Sequence, residues 1–125
     1  MKLSVIIPAL NEAEAIGRAI ESSLALSPHE VIVADGGSTD GTVGIAKEFD
    51  CQVIECPRGR ASQQNAGAAA ACGDVLLFLH ADAWIVPEAR EQMERTLRSP
   101  AIPGGAFHHR IDSDGLMFRL VEVGD

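Results

Sequence analysis

The stretch Val31-Ile32-Val33-Ala34-Asp35-Gly36-Gly37-Ser38-Thr39-Asp40-Gly41-Thr42 passes from four apolar residues directly into eight acids, hydroxyls and glycines. An unbroken apolar run of this kind predicts a strand buried on both faces, as in a parallel sheet covered by helices. The loop that follows such a strand lies where an α/β sheet receives its ligands. Two more apolar runs open into polar loops in the same way. Residues 3–7 lead into Pro8-Ala9-Leu10-Asn11-Glu12, and residues 75–79 lead into His80-Ala81-Asp82-Ala83. Three strand ends carrying polar chemistry point to a common ligand-binding edge.

Between these runs the period changes to that of helices. Ile16, Ala19, Ile20 and Leu24 recur at helical spacing, which predicts a helix capped by Asn11 and ended by Ser27-Pro28. A second helix starts at Asp40 or Thr42 and runs through Ile45, Ala46 and Phe49. After a short strand at 51–55 comes the basic loop Pro57-Arg58-Gly59-Arg60, then an alanine-rich helix over 61–72 that stops at Gly73-Asp74. An exposed helix is expected over 87–98 and a further strand over 106–111. The alternation predicts an α/β fold with a mainly parallel sheet and helices on both faces. Leu116, Met117, Phe118, Leu120 and Val121 make a partly apolar segment with little left to pack against. The expectation is one domain over residues 1–125 that lacks the C-terminal part of its natural fold.

Ten Lys and Arg against 18 Asp and Glu give a net charge of −8, which disfavours nucleic acid as a partner. An anionic nucleotide stays compatible if a divalent cation neutralises its phosphates. Cys51, Cys56 and Cys72 lack the pairing and spacing of a disulfide framework or zinc site, and predict a reducing, cytoplasmic setting. The opening residues do not resemble a secretory signal, and no run is long enough to span a bilayer. Contact with a membrane would be peripheral, at its inner face.

Each candidate residue carries a functional and a structural reading. At a strand end the Asp35 carboxylate can accept an N–H of a base, or it can serve a turn. Gly36 permits close approach of a ligand, or a special backbone conformation. Asn11 and Glu12 suit contacts to ribose or base, or the start of a helix. Asp82 can hold Mg²⁺ or Mn²⁺ through one carboxylate oxygen, with His80 assisting, or can end a strand and turn. Arg58 and Arg60 offer positive charge to a phosphate, or sit solvated in a loop. His108 and His109 alternate across a strand, and Asp112 and Asp114 suit an exposed turn.

Taken together, the segment from Val5 to Glu12, the segment from Asp35 to Thr42, Asn65-Ala66-Gly67 with Gly73-Asp74, and Leu77-Phe78-Leu79-His80-Ala81-Asp82 closely resemble the family 2 glycosyltransferases. The His-Ala-Asp variant, followed by Gly104-Gly105-Ala106-Phe107, resembles the bacterial subgroup called transferase 2, radical-SAM/selenodomain-associated. The resemblance implies a Rossmann-like sheet of the GT-A type, its N-terminal part, with a sugar nucleotide and Mg²⁺ or Mn²⁺ as ligands. It implies that Pro8, Asn11 or Glu12 lines a nucleoside pocket, that Asp35 contacts the base, with Gly36 beside it in the substrate site, and that Arg60 lies near the nucleotide. His80 and Ala81 would border the donor, and Asp82 would be the final acid of the family's Asp-x-Asp metal motif, whose first acid is here His80.

The implied reaction is transfer of a sugar, from a UDP-sugar by preference, to an acceptor hydroxyl with inversion. The usual catalytic base belongs to an acidic motif farther along, and neither Asp112 nor Asp114 stands in its context. The acceptor is unassigned. A noncatalytic nucleotide-sugar sensor, dependent on a partner or on self-association as a homo-oligomer, is the first rival reading. A nucleotidyltransferase is the second, disfavoured because no glycine-rich basic loop follows the first strand. A dinucleotide oxidoreductase ranks lower, since Gly-x-Gly-x-x-Gly is absent there.

Overall fold

The computed structural model describes residues 1–97 and the backbone of two further strands, Phe107–Arg110 and Met117–Leu120. In chain order the elements are β1 (Leu3–Ala9), α1 (Ile16–Leu24), β2 (Glu30–Asp35), α2 (Thr42–Ala46), β3 (Gln52–Glu55), α3 (Arg60–Ala70), β4 (Val75–Phe78), α4 (Glu88–Leu97), β5 (Phe107–Arg110) and β6 (Met117–Leu120). They form one six-stranded sheet of order β3-β2-β1-β4-β6-β5. The first four strands are parallel, β6 runs antiparallel to β4, and β5 runs antiparallel to β6.

Side chains alternate along β1, and both of its faces are buried. Leu3, Val5, Ile7 and Ala9 join a buried cluster with Val31 and Val33 of β2, Ile16, Ala19 and Ile20 of α1, and Ala89 and Met93 of α4. Ile6 points the other way and meets α3, which lies across β1 and β2. The expected helix cover on both faces is therefore present. Right-handed crossovers require this arrangement. The chain moves outward from β1 through β2 to β3 with α1 on one face, then reverses, so α3 must return over the other face to reach β4.

Three expectations need correction. Helix α2 ends at Ala46 and does not reach Phe49. Helix α1 starts at Ile16, with Ala15 rather than Asn11 before its first residue and no side-chain cap. Asn11 instead adopts positive φ (52°), a conformation that Asn tolerates better than most residues, and bonds to the neighbouring loop. The segment around 117–120 does not lack a packing partner, because β6 sits inside the sheet between β4 and β5. His108 and His109 lie in β5, paired at Cα level with Arg119 and Phe118. Gly104, Gly105, Ala106, Asp112, Asp114, Leu116 and Val121 lie outside the described residues.

Helix α3 approaches the sheet closely at Gly67, where an added Cβ would overlap Ile6 Cγ2. Gly67→Ala gains about 1 kcal/mol of helix propensity but overpacks this contact, which costs about 1–3 kcal/mol. Urea denaturation should show a net loss of stability. In an Ile6→Ala background the same substitution should be neutral or stabilising.

Candidate functional site

Strand order reverses between β1 and β4, and parallel sheets open a ligand crevice at such a point, outside the carboxyl ends of the strands. Here β4 pairs with β1 only as far as Ile6 opposite Phe78, while β1 continues to Ala9 alongside β2. The overhang borders a cleft of about 360 Å³. Pro8, Leu10 and Glu12 line it from the end of β1, and Arg60, Gln63 and Gln64 from the first turns of α3. Phe78, His80, Ala81 and Asp82 complete it from the end of β4. The cleft thus gathers Pro8, Glu12, Arg60, His80, Ala81 and Asp82. Asn11, Asp35 and Gly36 do not line it, and Arg58 is an exposed loop residue outside it.

Arg60 Nη2 lies 3.5 Å from His80 Nε2, so the guanidinium and the imidazole face each other across the cleft wall. The β4–α4 loop that carries His80 and Asp82 is held against α1. Ile85 N–H donates to Ser22 Oγ (3.1 Å), and the Arg18 guanidinium lies 3.5 Å from the centre of the Trp84 ring. Among the described residues no group of three or more His, Cys, Asp or Glu side chains converges as a metal cage. Exposed Asp82 with half-buried His80 supplies at most two donors. That donor set fits a cation that takes most of its ligands from a bound diphosphate and water, as Mg²⁺ commonly does.

The polar loop at 35–42 holds structure together. Asp35, only 2% exposed, accepts Gly37 N–H (3.0 Å) and Ser38 N–H (2.9 Å) on Oδ2 and the Ser38 hydroxyl (2.6 Å) on Oδ1. The turn reading of this residue is therefore realised, with one lone pair of Oδ1 uncommitted. The loop also clasps the β1–α1 loop. Asn11 N–H donates to Ser38 Oγ (2.9 Å) and Thr39 N–H to Asn11 Oδ1 (2.8 Å). Glu12 N–H donates to Thr42 Oγ1 (2.9 Å), and Ala13 N–H to Asp40 Oδ2 (3.2 Å).

Sequence reasoning passed over Gln63, which is 5% exposed. Its Nε2 donates to Ala9 O (2.9 Å) and Ala34 O (3.0 Å), and its Oε1 accepts Gly59 N–H (3.2 Å). The close approach that Gly36 allows is to this side chain: an added Cβ would lie 2.8 Å from Gln63 Cδ and Oε1. The sequence carries no signal for it, since the burial that obliges this amide to find partners appears only in the fold.

Strand order, cleft and helix placement together define the GT-A fold of nucleotide-sugar glycosyltransferases. The chain belongs to the glycosyl transferase family 2, whose family model matches residues 4–122. An uncharacterized glycosyltransferase of Nostoc sp. is 33% identical over 124 residues, covering 92% of this chain and 38% of the relative. Staphylococcus aureus TarS 1–349 in complex with UDP-GlcNAc superposes with a TM-score of 0.67 and 25% identity, over 78% of this chain and 31% of that one. Glucosyl-3-phosphoglycerate synthase of Mycobacterium tuberculosis, in complex with Mn²⁺, UDP and glucosyl-3-phosphoglycerate, gives 0.67 and 28%, over 77% and 39%. The chain spans less than two-fifths of the length of the curated relatives it matches.

The clasp makes a pH-dependent prediction. The Thr42 hydroxyl donates to Asp40 Oδ1, and this bond leads the causes that hold the Asp40 carboxyl below its ordinary value. A folded-state value below the unfolded one means that the stabilisation is complete above the unfolded value and is lost as pH falls through the lowered one. Thr42→Val should move the Asp40 titration upward in a carboxyl carbon NMR series. It should also broaden the Glu12 and Ala13 amide signals.

Proposed function

We propose that this chain is the donor-binding part of a glycosyltransferase that takes a nucleoside-diphosphate sugar, with UDP as the preferred nucleotide, together with Mg²⁺ or Mn²⁺. In the complete protein the sugar passes to an acceptor hydroxyl with inversion, and the acceptor-binding part lies in the length that the longer relatives have beyond this segment. The observation that carries the reading is the cleft at the strand-order reversal, where Arg60, His80 and Asp82 converge from two separate elements. Binding of UDP-GlcNAc by TarS, and of UDP with Mn²⁺ by the mycobacterial synthase, supports the donor class.

In this reading Asp82 holds the cation against the diphosphate, with His80 beside it. The cation, when bound, supplies the charge that stabilises a departing diphosphate. Arg60 and the N-terminal N–H groups of α3 add positive potential toward the phosphates. Pro8 and Glu12 border the nucleoside. Asp35 acts on it through the order of its loop. Inversion requires a general base for the acceptor hydroxyl, which we place outside the described residues. Cys51, Cys56 and Cys72 are free thiols, in keeping with a reducing, cytoplasmic site. Among the described residues no helix is long and apolar enough to cross a membrane. We place the site in the cytoplasm or at the inner face of the cell membrane.

Calorimetric titration with UDP, in Mn²⁺ and in chelator, tests the reading. Wild-type chain should bind UDP more tightly with Mn²⁺. Asp82→Asn should remove the metal-dependent increment, and Asp35→Ala should weaken binding with or without metal. Each loss should be roughly tenfold to a hundredfold, the equivalent of about 1–3 kcal/mol. Equal losses in both conditions for Asp82→Asn would contradict the metal role.

A further inference from the structure

We infer that Gln63 is a positioning residue of the donor site, fixing where Arg60 stands relative to the ends of β1 and β2. The inference rests on the reading of the cleft as a donor site. Gln63 is buried, and its amide bonds to three chain segments that must agree for the cleft to exist. Nε2 donates to Ala9 O at the last residue of β1 and to Ala34 O, one residue before the end of β2. Oε1 accepts the N–H of Gly59, the residue that precedes Arg60.

The geometry is directional. Gly59 has φ of 140°, a conformation that favours glycine, so the chain turns sharply before Arg60. Gln63 N–H donates to Gly59 O (2.8 Å) while the Gln63 side chain accepts the Gly59 N–H, so one residue holds both backbone polar groups at that turn. The other end of the same amide holds β1 and β2. Arg60 is exposed, and its contact with His80 at 3.5 Å is long, so its own side-chain contacts restrain it weakly. Its placement is therefore inherited from the Gly59 turn. Glutamate at position 63 has the right shape but no donor for the two carbonyls, and an ionised carboxylate would face both. Gly36 belongs to the same device, because any side chain there would displace the amide.

The test is a double-mutant cycle on UDP affinity with Mn²⁺, using wild type, Arg60→Ala, Gln63→Leu and the double variant. Amide hydrogen exchange is measured on each without ligand. In wild type, Arg60→Ala should weaken binding roughly tenfold, as for a charge-assisted hydrogen bond. In the Gln63→Leu background the same change should have less than about a twofold effect, because Arg60 is no longer aimed. Gly36→Ala, which disturbs the amide without altering residue 63, should reproduce that loss of coupling. Exchange at the Gly59 amide should accelerate in Gln63→Leu and Gly36→Ala, while the amides of β4 keep wild-type protection.

Additive losses from Gln63→Leu and Arg60→Ala would overturn the positioning role, as would unchanged Gly59 exchange in a folded Gln63→Leu chain. Absence of UDP binding by wild type, or an Arg60→Ala variant that binds like wild type, would instead overturn the donor-site reading. The Gly59 exchange result would then still decide whether Gln63 sets the turn.

Discussion

The reversal of strand order at β1 is the constraint on which the rest of the molecule depends. Because crossovers are right-handed, a chain that has built β1, β2 and β3 with α1 on one face can reach β4 only by laying α3 over the other. That passage requires Gly67 against Ile6, and it leaves β1 projecting beyond its last β4 partner. At that projecting end Ala9 O accepts the Gly36 N–H (3.0 Å), and Gln63 Nε2 adds a second bond to it while also reaching Ala34 O. The cleft and the side chain that braces it have a common origin in topology.

At the opposite end of the sheet a different set of bonds keeps the strands in register. The Ser4 hydroxyl donates to Glu30 Oε2 (2.6 Å), which also accepts Cys72 N–H, while Gly73 N–H donates to Ser4 Oγ (2.9 Å). Arg90 of α4 donates to the carbonyls of Leu26, Ser27 and Met1, each at 3.0 Å. With the amino ends of the strands fixed this way, polar residues at the carboxyl ends are left for the cleft and its clasp. The exposed groups Arg60 and Asp82 then lie where a phosphate and a cation would meet.

Much of the fold was legible because buried parallel strands need unbroken apolar runs. Residues 31–34 and 75–79 are such runs, and β2 and β4 form over them. The start of α1 was not legible, since Asn11 suits an N-cap and a positive-φ turn by the same side-chain chemistry, and its choice depended on Ser38 and Thr39 lying opposite. Asp35 posed the same problem, because a carboxylate that can accept from a base can equally accept from Gly37 and Ser38. The place of β6 between β4 and β5 is a nonlocal pairing with no local signature. Gln63 was not legible, because it stands beside Gln64 and Asn65 and helical propensity says nothing of which amide turns inward. His80 and Asp82 were legible as a cleft wall because they directly follow a buried strand.

Paramagnetic broadening of amide signals by Mn²⁺, with and without UDP, tests the central claim that a nucleotide and a cation meet in the cleft at the β1–β4 reversal. The account predicts that UDP concentrates the broadening at Arg60 and at His80 to Asp82, with little effect from Mn²⁺ alone. Broadening centred on residues 35–42 or on scattered surface acids, and unchanged by UDP, would contradict it.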